Sequence, residues 1–199
     1  MSRPQQSLPA SFFEAFYAAA PDGDPWSFAT SDYERGKYAA TLAALPRPRY
    51  GSGFEAGCSI GVLTRQLAAR CDRLLAVDAA EAPLAQARQR NAELPQVEIR
   101  QAVLPGDWPQ GEAFDLILLS ELLYFFSRED VAALAGLCLG SLRPGGDVVL
   151  VHWLPEAEPP YPLTGDEAVT AFLAACGPAL RPLLSRREAL YRLDVLRRA

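Results

Sequence analysis

Three acids and one histidine stand where an α/β chain presents chemistry: Glu55, Asp78, Glu121 and His152. The segment Phe54-Glu55-Ala56-Gly57-Cys58-Ser59-Ile60-Gly61 puts Glu55 at the end of a strand and brackets a turn with Gly57 and Gly61. In open α/β sheets ligands bind beyond the carboxyl ends of the strands, and glycine there lets the backbone come close to a ligand. A carboxylate in that crevice repels a pyrophosphate and suits a cationic or amino-bearing ligand. The same residues also read as an ordinary strand-to-helix turn. Asp78 ends the run Arg73-Leu74-Leu75-Ala76-Val77-Asp78, 21 residues beyond Gly57. An acid in that place accepts hydrogen bonds from both ribose hydroxyls; alternatively it caps the following helix. Gly51, Gly53 and Gly57 imitate a phosphate loop, but the spacing is wrong and the strand lies inside the pattern.

Glu121 follows a long apolar run and precedes Leu122-Leu123-Tyr124-Phe125. His152 ends another apolar run beside Trp153. The ordinary pKa of imidazole suits a general base, and a structural histidine is the equal alternative. Glu121 is the other candidate base, or a cap or cofactor contact. Trp26, Trp108, Tyr124 and Trp153 form either a stacking wall for a sugar or cation or part of the core. The turn-rich stretch 155–162 reads as a lid over a substrate or as a plain connector.

These residues need strands alternating with helices to hold them. Residues 11–20 read as a helix begun by a serine cap, and Ser31 or Asp32 caps a second helix over 33–45. Strands are predicted over 54–56, 73–77, 97–100, Phe114–Ser120 and 147–153, with helices over 61–70, 83–93, 128–142 and 164–176. Leu142-Arg143-Pro144-Gly145-Gly146 reads as a helix end and a tight turn. Strands apolar throughout, alternating with helices, imply a parallel sheet covered on both faces. Strands over 180–184 and 190–196 leave no room for a helical crossover, so they form an antiparallel hairpin at one sheet edge. The first ten residues read as a floppy tail.

The order E-A-G-C-x-x-G, an Asp-ended strand, F-D-L-I and L-R-P-G-G over residues 54–153 resembles the class I S-adenosylmethionine-dependent methyltransferase superfamily. A closer likeness covers nearly the whole chain. Asp24-Pro25-Trp26, Thr30-Ser31, Tyr33-Glu34, Lys37-Tyr38 and Trp108-Pro109 resemble the nodulation protein S family. So do Ser120-Glu121-Leu122-Leu123-Tyr124, His152-Trp153 and Pro162-Leu163-Thr164-Gly165-Asp166. Members of that family N-methylate a chitooligosaccharide backbone during nodulation-signal synthesis. The resemblance implies a Rossmann-like α/β fold: a seven-stranded, mostly parallel sheet with an antiparallel C-terminal edge hairpin. It implies one methyltransferase domain over residues 1–199, with helices of 1–49 covering a core of 50–199. It implies S-adenosyl-L-methionine as cofactor and S-adenosyl-L-homocysteine as product. Glu55, Gly57, Cys58 and Gly61 would form the cofactor turn, and Asp78 with Ala79 would hold the ribose. Val103 and Leu104 would pack on the adenine, with Asp107 the nearest acid downstream for its amine. Ser120 and Glu121 would lie by the methionine part, while Trp26, Tyr33 and Lys37 would fold over the pocket. Tyr124, His152 and Trp153 would face the substrate. Family members commonly carry a second histidine soon after the Gly-Asp pair; here Ala168-Val169-Thr170 stands there.

The bulk composition narrows the classes. A net charge of −5 gives no global reason to bind nucleic acid or an anionic membrane. The densest basic stretch, Arg186, Arg187, Arg192, Arg197 and Arg198, is interleaved with apolar residues and reads as a solvated hairpin face. Cys58, Cys71, Cys138 and Cys176 are widely spaced and His152 is the sole histidine, so no metal site is expected. The N-terminus carries no signal-peptide pattern, and no apolar stretch is long enough to span a bilayer, which points to the cytoplasm. The expected partner is a small-molecule or oligosaccharide acceptor. The rival readings are an O-methyltransferase, an NAD(P)-dependent oxidoreductase and a cofactor-binding protein without catalysis.

Overall fold

Seven segments form strands: β1 Gly53–Ala56, β2 Leu74–Asp78, β3 Val97–Gln101, β4 Phe114–Ser120, β5 Leu142–Trp153, β6 Leu180–Arg187 and β7 Tyr191–Arg198. In a computed structural model describing residues 3–199 they make one sheet in the order β3-β2-β1-β4-β5-β7-β6. The pairs β1–β2, β2–β3 and β4–β5 are parallel, while β5–β7 and β6–β7 are antiparallel. This is the α/β, Rossmann-like sheet with its C-terminal edge hairpin. The chain packs as two compact units, Pro9–Val103, and Leu104–Ala199 with the segment ending at Leu8.

Within Pro9–Val103 lie α1 (Ala10–Ala19), α2 (Asp32–Ala44), α3 (Val62–Leu67) and α4 (Glu81–Asn91). Ser31 caps α2, its Oγ accepting the Glu34 N–H. The serine cap expected for α1 is absent: the helix starts one residue earlier, behind Pro9. Strand β1 and the first four residues of β2 are buried, as parallel strands covered on both faces must be. Against them Cys58, Ala76, Leu84 and Ala87 form a core with Ile99. The Arg70 guanidinium donates to the carbonyls of Leu42, Arg47 and Pro48, which ties the end of α2 to the approach to β1.

The second unit holds α5 (Arg128–Ser141) and α6 (Gly165–Cys176). Ser127 caps α5, and Thr164 with Glu167 closes a capping box on α6. Leu116, Ile117, Leu118 and Leu119 are at most 1% exposed, each side chain contributing about 1.5–3 kcal/mol of hydrophobic burial. Two expectations need correction here. The turn predicted at 142–146 is part of β5: Gly145 takes φ +72°, and the register with β4 shifts between Phe114 and Leu116. The floppy tail is tied down from Arg3 onward. The Leu8 N–H donates to Phe125 O at 2.9 Å, and the Ser127 N–H donates to Ser7 Oγ at 2.8 Å. Its partners lie far along the chain, so its polar composition could not reveal them. Among the described residues no helix is long and apolar enough to cross a membrane, and the four cysteines are buried and free.

Candidate cofactor and acceptor sites

The turn after β1 is built from left-handed backbone. Gly57, Ser59 and Gly61 have φ of +79°, +50° and +74°; glycine takes such values freely, whereas a serine is held there against some strain. The N–H groups of Gly57 and Cys58 both donate to Val77 O, at 2.8 and 2.9 Å, so the turn folds onto the end of β2. Asp78 completes the stitch: Oδ2 accepts the Ser59 N–H at 2.9 Å, and Oδ1 accepts the Ala80 N–H at 3.1 Å. Gly61 has a packing reason as well, since a Cβ there would meet Asn91 Nδ2 at 2.6 Å and Ala87 Cα at 2.9 Å.

Two contributions from α1 were not legible in the sequence. The Tyr17 hydroxyl donates to Ser59 Oγ at 2.6 Å. The Glu14 carboxylate accepts the N–H groups of Glu81 and Ala82, capping α4, whose own N-cap Ala80 has no side chain to do so. No spacing signal marked either residue; only the aromatic character of α1 did. Tyr17, Ile60 and Ala80 form a buried cluster against which Phe13, Trp26 and Phe28 pack. Trp26 thus sits by the turn. Lys37 pairs instead with Glu34 inside α2 at 2.9 Å and lies 5.0 Å from the centre of the Tyr33 ring. Val103, just past β3, is 43% exposed. Leu104 is buried, and Asp107 is exposed in the following turn.

The electrostatics of the turn are acidic. Burial pushes the Glu55 carboxyl up to about 7, the nearby Asp78 charge adding to the effect and a Thr64 hydroxyl hydrogen bond opposing it. Burial likewise lifts Asp78 to about 6, against the Ala80, Ser59 and Ala79 N–H groups that favour its ionised form. The buried Glu55 carboxyl and the half-buried Asp78 carboxylate fit a positively charged ligand with hydroxyls and do not fit a pyrophosphate.

In the second unit the chain turns sharply after β4. Glu121 takes φ +52°, and its N–H donates to Val151 O at 2.8 Å. Its Oε2 accepts both the Tyr124 hydroxyl at 2.8 Å and the Trp153 N–H at 2.9 Å. Ser120, Glu121, Tyr124, His152 and Trp153 are thereby brought together at the end of β4 and β5. Tyr124, Trp153, Tyr161, Leu163 and Thr164 line a cleft whose rim carries Arg3 and Glu156. His152, weighed above as a base or a structural residue, has the structural geometry. It is 0% exposed, and its Nε2 accepts the Leu123 N–H at 3.0 Å. A nitrogen that accepts a backbone N–H has its lone pair engaged and cannot take an acceptor's proton without breaking that bond. Trp108 is core, its Nε1 donating to Ser141 Oγ at 3.1 Å. Among the described residues no three His, Cys, Asp or Glu side chains converge as a metal site.

A family model for Nodulation protein S matches residues 18–149. Nodulation protein S of Rhizobium tropici is 29% identical over 135 residues, which cover 63% of this chain and 53% of the relative. The chain spans about half the length of the curated relatives it matches. N-methyltransferase NodS from Bradyrhizobium japonicum WM9, solved with S-adenosyl-l-homocysteine, superposes with a TM-score of 0.80 at 22% identity, covering 95% of this chain and 97% of that one. A Pseudomonas syringae structure with a methyltransferase designation is 40% identical with a TM-score of 0.71, covering 83% of this chain and 99% of that one.

Two outcomes test the site. Because the folded pKa of Glu55 is raised, its stability contribution is full below about pH 4.5 and is lost as pH rises through about 7. Glu55→Gln should therefore raise the unfolding free energy of the ligand-free protein at pH 8 by roughly 3 kcal/mol, read by chemical denaturation, and leave it unchanged at pH 4. His152→Ala should destabilise the protein by about 1–3 kcal/mol through the orphaned Leu123 N–H, while S-adenosylhomocysteine affinity, read by calorimetry, stays within about twofold.

Proposed function

The chain belongs to the Nodulation protein S family, and from that premise we propose that it is an S-adenosyl-L-methionine-dependent N-methyltransferase acting on a small amine acceptor. The observation that carries this reading is the acidic turn stitched to Asp78. Glu55 and Asp78 offer negative charge to the positively charged cofactor, and Asp78 has lone pairs left for ribose hydroxyls. Gly57, Cys58 and Gly61 let the backbone lie against it. The bound cofactor supplies a methyl group already activated by its sulfonium.

The protein's remaining task is to align the acceptor nitrogen and exclude water. Glu121 is the group for this work. Tyr124 and the Trp153 N–H fix its carboxylate, which orients an amine N–H and receives the proton released on transfer. Trp153 gives the acceptor a flat surface to lie against. The His152 base is not part of this proposal, because its Nε2 already serves Leu123. An amino sugar, and a partly deacetylated chitooligosaccharide in particular, is the acceptor that the family and this surface favour. The chain works as one methyltransferase domain over 1–199, in the cytoplasm.

Incubation with S-adenosyl-L-methionine and a glucosamine tetramer should add one methyl group to an amine, read by mass spectrometry. Glu121→Gln keeps an oxygen for Tyr124 and Trp153 but removes the charge, and should lower the turnover about 100-fold. Methylation of a hydroxyl instead, or an unchanged rate in Glu121→Gln, would contradict the proposal.

A further inference from the structure

The segment 155–162 is anchored at both ends: the Leu154 N–H donates to Leu190 O at 2.8 Å, and the Leu163 N–H donates to Tyr124 O at 3.2 Å. Between these anchors an ion pair and ring contacts of Tyr161, edge-on to Phe125 at 4.7 Å and stacked on Tyr124, hold it over the cleft. Tyr161 stacks on Tyr124, with centroids 5.5 Å apart and planes 11° apart. Glu156 Oε1 accepts from Arg3 Nη2 at 2.6 Å and Nε at 3.1 Å. The same guanidinium reaches α6 through Nη1, 2.5 Å from Glu167 Oε2. Arg3 is in turn carried by a strap whose far end, Ser7 and Leu8, is bonded to Ser127 and Phe125 on either side of the turn before α5. One side chain therefore joins strap, connector and helix at the rim of a cleft lined by Tyr124 and Trp153. Both of those residues bond to Glu121.

We propose that Arg3 is a clasp that holds the connector 155–162 closed over the Tyr124–Trp153 cleft, and that its release opens the acceptor side of the site. Only the word acceptor rests on the methyltransferase reading. The clasp has the strength a gate needs. Its side chains are 29%, 61% and 40% exposed for Arg3, Glu156 and Glu167, so water and salt screen the pair, and its loss shifts an opening equilibrium only about two- to fivefold. A planar guanidinium can serve two carboxylates at once, which a single ammonium does less well. Stacking of Tyr161 on Tyr124 keeps the closed position defined, so the connector opens about its two backbone anchors rather than unravelling.

Acrylamide quenching of Trp153 fluorescence in the full chain tests this, with each protein's Trp153→Phe counterpart subtracted to isolate the signal. Arg3→Ala and Glu156→Gln should each raise quenching about two- to fivefold. The wild type should show the same rise at about 1 M NaCl, where the Debye length falls to about 3 Å. Arg3→Ala should show no further response to salt. Equal quenching in wild type and both variants, or a salt response retained in Arg3→Ala, would overturn the clasp. Calorimetry with S-adenosylhomocysteine on the same proteins separates the two readings: affinity should be equal in all of them. Absence of binding everywhere would count against the methyltransferase reading and leave the quenching result to decide the clasp.

Discussion

Asp78 accepts a backbone N–H on each carboxylate oxygen, from Ser59 in the turn after β1 and from Ala80 in the turn after β2. The two loops thereby share one half-buried carboxylate. The arrangement has a cost, because burial raises the carboxyl to about 6 even with those donors present. Ser59 adds strain at φ +50°, and Tyr17 reaches from α1 to hold its hydroxyl. A turn that is acidic and held out of its preferred backbone region is less stable than a neutral turn would be. A cation with hydroxyls bound there would offset those costs.

The second unit applies a similar device to a different end. Glu121 sits in left-handed backbone at the end of β4, and its carboxylate is fixed by a phenol and a backbone N–H. His152 supports it indirectly: it accepts the Leu123 N–H and lies edge-on to the Tyr124 ring at 5.7 Å. The sole histidine of the chain thus shapes the turn that carries Tyr124. It is buried in that role, unlike an accessible base.

What could be read in the sequence was what is local. Strand β4 matches its expected bounds, because Leu116, Ile117, Leu118 and Leu119 are buried and the polar Ser120 and Glu121 mark its end. Glu55, Gly57 and Asp78 could be placed at strand ends because each directly follows or ends an apolar run. The failures are non-local or conformational. Tyr17 finds Ser59 42 residues away, and Arg3 finds Glu156 153 residues away; no periodicity carries such pairings. Pro144-Gly145-Gly146 has the composition of a turn, yet β5 runs through it with one left-handed glycine and a register shift. The direction of the His152 ring depended on Leu123, which has no polar side chain to signal the contact.

The central claim is that the stitched acidic turn binds S-adenosylmethionine through Asp78. Calorimetric titration of S-adenosylhomocysteine into the wild type and Asp78→Ala, with NAD as a control, tests it most directly. The account predicts micromolar binding to the wild type, a loss of about 100-fold or more in Asp78→Ala, and no binding of NAD. Equal affinity in the two proteins would remove Asp78 from the site, and binding of NAD in place of S-adenosylhomocysteine would contradict the account outright.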